Sequence, residues 1–150
     1  MATEAWYITA LDTAFPLSAG ATKDAQEAVA KILSDGDGQV ADPEAWNEIG
    51  ATGKPAFENS WVNFHADNNS AAYYKHGGRV YLKGRIKDGA VGSRAFLLPT
   101  GYRPAKTCVF GVDSNSAHGR VFVGNGGAVM PVTPSNNAQV SLDGISFRVA

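Results

Sequence analysis

The three histidines, His65, His76 and His118, are the first place to look for chemistry, because imidazole ligates metals and moves protons near neutral pH. No two of them have the i, i+4 spacing that puts a metal-binding pair on one helix face. His65 and Asp67 together offer two ligands, which do not define a metal site. Ser114 and Ser116 stand near His118, the residue types of a hydrolase. Their neighbours are Asn, Ser and Ala, with nothing resembling a nucleophile elbow. Glu44, Glu48 and Glu58 would serve glycoside cleavage only if the fold held two of them about 5–9.5 Å apart. Asp35-Gly-Asp-Gly38 has the look of a calcium turn, but Trp46 occupies the place of the glutamate that a twelve-residue loop needs. Gly124-Asn-Gly-Gly127 lacks the lysine and the following helix of a phosphate loop. Cys108 is the single cysteine, in the apolar run Thr107–Val112, where it reads as a small buried hydrophobe. The residues therefore predict no catalytic site, no metal and no cofactor.

Binding is the better prospect. A saccharide presents C–H faces and hydroxyls, which match aromatic rings and side-chain amides or carboxylates. Trp46, Trp61, Tyr73, Tyr74 and Tyr102 supply rings, and Asp67, Asn68, Asn69 and Asn115 supply polar partners in turn-rich stretches. Trp61 reads as core. Tyr73 and Tyr74 are consecutive, so strand alternation sends them to opposite faces. The candidate ligand contacts are thus Asp67, Asn68, Asn69, Tyr74 and Asn115.

The elements that must position these residues follow from periodicity. Arg79, Tyr81, Lys83 and Arg85 alternate with Val80, Leu82 and Ile86, so one face is polar and the other apolar. Gly84 inside this run predicts a bulge or a close contact. This run is an expected strand over 78–87, and further strands are expected at 57–64, 71–75, 93–98, 106–113, 119–123, 127–132, 138–141 and 144–149. Clusters of Gly, Asn, Asp, Ser and Pro separate them. Asn125-Gly126 and Asp143-Gly144 are the pairs that tolerate the positive φ of a tight hairpin. So many short strands predict an antiparallel β-sandwich of jelly-roll type over residues 55–150.

Residues 1–54 are different. Ala25, Ala28, Val29, Ile32 and Leu33 follow the spacing of one apolar helix face over 23–34. Asp24 and Glu27 suit a capping box, and Gly36 suits the stop. A helix of about three turns needs something to pack on. Trp6, Tyr7, Ile8 and Phe15 are apolar clusters in a polar arm, and residues 35–60 read mostly as loop. Trp6, Tyr7, Ile8, Phe15, Val29 and Ile32 are accordingly the expected attachment and self-association residues.

Charge narrows the partners. Thirteen basic and fourteen acidic residues leave a net charge of −1, so no basic excess points to nucleic acid. No apolar run approaches the roughly 20 residues of a membrane helix, and the first residues lack the pattern of a secretory signal.

Three stretches carry a resemblance: Trp61–His65, Tyr73–Ile86 and, most specifically, Leu98-Pro-Thr-Gly-Tyr-Arg-Pro104. From about Trp61 to Phe147 the chain resembles the β-rich head domain at the distal end of bacteriophage tail fibres and receptor-binding proteins. The resemblance implies a non-enzymatic virion protein, made in the host cytoplasm and carried on the particle surface. It also implies a homotrimer that contacts other virion proteins and a host-surface saccharide. It assigns the Tyr102-Arg103 corner to closing the sandwich. The chain has no long shaft, which keeps a second role open, that of a capsid or tail decoration protein anchored by its N-terminal arm with no glycan ligand.

Overall fold

Along Arg79–Lys83 every second residue is buried, as a strand with one face on a core requires. The structure is a computed structural model and describes residues 43–150. The expected helix at 23–34 and the residues Trp6, Tyr7, Ile8, Phe15, Val29 and Ile32 lie outside the described residues.

Eleven strands make up the regular structure of the described residues, and they pair antiparallel. The first group is β1 (Asn47–Glu48), β2 (Val62–Asn63), β3 (Ala72–His76), β4 (Arg79–Lys83) and β5 (Arg85–Lys87). Then come β6 (Phe96–Leu97), β7 (Cys108–Ser114), β8 (Ala117–Val123) and β9 (Ala128–Val132). β10 (Val140–Ser141) and β11 (Ser146–Arg148) complete the chain. They form sheets in the orders β1-β3-β4-β11, β10-β5-β2 and β6-β9-β8-β7. The last order is that of a Greek key: β7, β8 and β9 run as a meander, and β6 lies beside β9. Its long connection, residues 98–107, carries the Leu98–Pro104 stretch. The all-β, antiparallel expectation holds.

One core joins the three sheets. Tyr73, Val80, Leu82 and Phe147 come from the first, Ile86 and Val140 from the second, and Phe96, Val121, Val123 and Val129 from the third. Trp61 is 1% exposed, as expected of a core residue. Burying each such side chain contributes about 1.5–3 kcal/mol. The Trp61 ring lies where a Cβ on Gly89 would stand, so only glycine fits there. Its indole nitrogen has no acceptor among the described residues.

Several strand limits differ from the periodic reading. In the 57–64 and 93–98 stretches the strands are confined to 62–63 and 96–97. Residues 47–48, read as loop, form an edge strand beside β3. Two hairpin turns have two consecutive positive-φ residues: Gly77-Gly78 (φ 56° and 76°), closing β3 onto β4, and Asn115-Ser116 (φ 52° and 62°), closing β7 onto β8. At Asn125-Gly126 the positive φ falls instead on the next residue, Gly127 (φ 96°). Asp143-Gly144 joins two different sheets and so closes no hairpin.

The run 78–87 is two strands, and Gly84 is the reason. Its φ is 112°, and a Cβ there would stand 2.5 Å from the Ala71 backbone. The chain turns at Gly84 and passes from the first sheet to the second, as strands at sheet corners do. The opposite strand turns with it between β10 and β11. Leu142 N–H donates to the Gly84 carbonyl at 2.7 Å, and Gly84 N–H donates to Asp143 Oδ1 at 2.8 Å. Of the two readings of Gly84, the close contact is realised; in place of a bulge within one strand, the run is divided between two sheets. Replacing Gly84 with alanine should therefore cost at least about 2 kcal/mol, through backbone strain and overpacking. A urea-denaturation midpoint equal to that of the parent protein would refute this.

Candidate functional site

Register decides which side chains share a surface. Tyr73 packs in the core, so Ala72, Tyr74 and His76 face the other way. β3 pairs Tyr74 with Tyr81, Ala72 with Lys83 and His76 with Arg79. β11 adds Ser146 opposite Tyr81 and Arg148 opposite Arg79, and β1 adds Glu48 opposite Ala72. The outer face of this sheet therefore carries three rows about 7 Å apart, two residues along a strand.

The middle row is aromatic. The Tyr74 and Tyr81 rings stack at 5.0 Å with 14° between their planes, and Trp46 meets Tyr74 edge-on at 4.4 Å. Trp46 is 40% exposed, and the two tyrosines are half-buried. At one end Lys83 Nζ lies 4.8 Å over the Trp46 ring and 3.5 Å from Glu48 Oε1. This places a cation on an indole face and against a carboxylate. Ala72 beneath is fully buried although it is outside the core cluster. At the other end stand His76, Arg79 and Arg148, with Arg79 Nη2 donating to Ser146 Oγ at 2.9 Å.

A second polar arrangement holds the edge of the same sheet. Glu44 Oε2 accepts from the Tyr102 hydroxyl at 2.8 Å, and Oε1 accepts from the Lys75 amide at 2.8 Å. Lys75 Nζ lies 4.8 Å over the Tyr102 ring and donates to the Gly101 carbonyl at 3.0 Å. Tyr102 meets Tyr73 edge-on at 5.0 Å and packs against the core. Arg103 Nε donates to the Leu98 carbonyl at 2.8 Å. Tyr102-Arg103 thus closes the core edge through packing and backbone satisfaction. Burial first, then the Glu44 hydrogen bond and charge, push the Tyr102 phenol up to about 12. Burial and then the Glu44 charge raise that of Tyr73 as well.

The ligand contacts expected from sequence are not brought to one place. Tyr74 lies in the aromatic row. Asp67, Asn68 and Asn69 form the loop that enters β3 at the Lys83 end of that row. There Asp67 Oδ2 is 3.3 Å from His65 Nδ1, and Asn69 Nδ2 reaches Asp143 Oδ1 at 3.5 Å. Asn115 is elsewhere, at the tip of the β7–β8 hairpin. That tip is held by the 136–139 loop, since Ser114 Oγ contacts the Gln139 carbonyl at 2.8 Å and accepts from the Asn136 amide at 2.7 Å. The 136–139 loop meets Asp88, at the far end of β5 from Asn69. Trp46 stood among the sequence aromatics, but Tyr81, Lys83, Arg79, His76 and Arg148 did not stand as site residues. Alternation had already placed Arg79, Tyr81 and Lys83 on one face; the missing information was the register with residues 46–48 and 146–148.

Several of the residues considered for catalysis have structural partners. Ser114 is 1% exposed with its hydroxyl engaged by backbone. Arg94 donates twice to Glu58 Oε2, at 2.8 and 2.6 Å. Among the described residues no group of three His, Cys, Asp or Glu side chains could hold a metal ion.

The comparisons with known proteins bear on the fold. No protein-family model matches the chain, and a search of curated proteins gave no match. Among solved structures, the fold resembles that of a phage receptor-binding protein. The chain is similar to the receptor binding protein (gp15) of Listeria phage PSA, at a TM-score of 0.56 and 17% identity. The alignment covers 93% of this chain and 91% of that one.

The Tyr102 phenol gives a pH prediction with a definite sign. Its folded pKa lies above the unfolded value of 10.0, so its stabilisation is fully present below pH 10 and is lost as pH rises through about 12. Tyr102→Phe should lose about 1 kcal/mol at neutral pH, the worth of one hydrogen bond. The gap between variant and parent should shrink through that alkaline window. Denaturant melts at pH 8 and pH 11.5 with an equal gap would contradict the assignment.

Proposed function

We propose that this chain is a phage receptor-binding protein whose head domain grips a host-surface saccharide on the outer face of the β1-β3-β4-β11 sheet. The observation that carries the reading is the Trp46–Tyr74–Tyr81 row on a fold similar to that of a phage receptor binding protein. Soluble proteins rarely leave adjoining aromatics on a surface without a use. The exposed part of the Trp46 ring covers the C–H side of a sugar, while the tyrosine hydroxyls, Glu48 and Lys83 offer partners for its hydroxyls. Asp67, Asn68 and Asn69 form the rim at the Lys83 end. Asn115 takes no part in this surface.

The same reading places the protein on the virion, as a non-enzymatic, jelly-roll-like sandwich head. The N-terminal arm expected over residues 1–54, with Trp6, Tyr7, Ile8, Phe15, Val29 and Ile32, serves attachment to other virion proteins and self-assembly. Assembly is to a homotrimer. One aromatic platform with a few hydrogen bonds binds a sugar weakly, and three linked platforms raise avidity by about 10²–10⁴.

Two measurements test this. Trp46→Ala should weaken saccharide binding about two- to tenfold per site, following the 0.5–1.5 kcal/mol worth of an aromatic contact. Adsorption to host cells should fall further, with the melting temperature within a few degrees of the parent. Asn115→Ala should leave adsorption unchanged. Adsorption that survives Trp46→Ala would move the weight to the decoration role. Light scattering should find three chains per particle in solution; a stable monomer at micromolar concentration would remove the avidity argument.

A further inference from the structure

The row beyond the aromatics is the least explained feature of this face. Arg79 is directly opposite Arg148 on one side and His76 on the other. Like charges directly opposite each other across strands are destabilising, and both arginines are exposed. Among the described residues the ion pairs lie elsewhere: His65–Asp67, Lys83–Glu48, Lys87–Asp88 and Arg94–Glu58. The guanidinium of Arg79 donates to the neutral Ser146 hydroxyl, which holds it toward the aromatic row. The chain as a whole carries a net charge of −1, so this is a local concentration of positive charge. The β3–β4 turn above it is Gly77-Gly78, where a Cβ would meet nothing within 4 Å, so the approach is open.

We propose that Arg79 and Arg148, with the His76 ring N–H beside them, form an anion subsite that recognises a negatively charged group on the saccharide lying across Trp46, Tyr74 and Tyr81. The inference rests on the aromatic-platform reading and adds the ligand's charge to it. Guanidinium forks suit the paired oxygens of a carboxylate or a phosphate. The row is about one strand repeat of ~7 Å from the ring of Tyr81, within the reach of a substituent on a stacked sugar. The ligand class is therefore an acidic glycan, bearing either a uronic carboxylate or a phosphate ester.

The test is a titration of the full chain with glucose, glucuronate and glucose 1-phosphate. The Trp46 indole N–H and the Arg79 and Arg148 Nε–H resonances would be followed by NMR. One or both anionic sugars should bind about tenfold more tightly than glucose, the scale of one charge-assisted contact. Whichever binds tighter distinguishes phosphate from carboxylate. The R79Q/R148Q double variant should lose that excess while its Trp46 signal still responds to glucose. Added salt should weaken the anionic sugars and leave glucose unaffected. Equal affinity for all three sugars, with Trp46 responding, would overturn the anion subsite and leave the platform standing. An excess retained in the double variant would also overturn it. A silent Trp46 with all three sugars would sink the platform reading itself.

Discussion

The backbone contact between Gly84 and Ala71 is the constraint on which the rest of this domain depends. At that point two chain segments approach with no room for a side chain between them. The approach lets one continuous run leave the first sheet as β4 and enter the second as β5. The partner segment makes the reverse passage from β10 to β11, tied to the corner by the Asp143 carboxylate. Because both segments turn together, the apolar faces of the two sheets close over one set of side chains. Trp61 and Gly89 repeat the device with a ring in place of a backbone.

The corner also sets the outer surface. Once β4 ends at Lys83, its polar face is fixed as Arg79, Tyr81 and Lys83. Pairing with β3 brings Tyr74 against Tyr81, and the edge strand β1 brings Trp46 against Tyr74. Each side chain contributes through its neighbour's position: Lys83 lies on Trp46 because Glu48 and Ala72 hold the register beneath it. The surface is rigid because it is built on strands, and rigid placement lowers the ordering cost of gripping a ligand.

The Leu98–Pro104 stretch does different work. It is the long connection of a Greek key, and such a connection must cross the open end of the core. Tyr102 covers that end with its ring and satisfies its hydroxyl on Glu44, while Arg103 satisfies the Leu98 carbonyl. An amphipathic ring and a multi-donor cation suit this place because each buries a stem and keeps its polar tip paired.

By itself the sequence determined that the described part of the chain is β, that Val80, Leu82 and Ile86 face a core, and that Trp61 belongs to it. It also determined that Gly84 is a point of close contact, and that Tyr73 and Tyr74 part company. These are local matters: alternation, turn chemistry and the size of a side chain act over a few residues. Tertiary structure alone decided that Trp46, Tyr74 and Tyr81 form one row and that Arg79 faces Arg148. It alone parted Asn115 from Asn69, although both sit in equally polar turns. The reason is register. A one-residue slip between strands sends every side chain to the other face, and the pairing of residues 46–48 with 72–74 or of 79–81 with 146–148 is a long-range choice. It is settled by how the whole core packs, which no short stretch of sequence encodes.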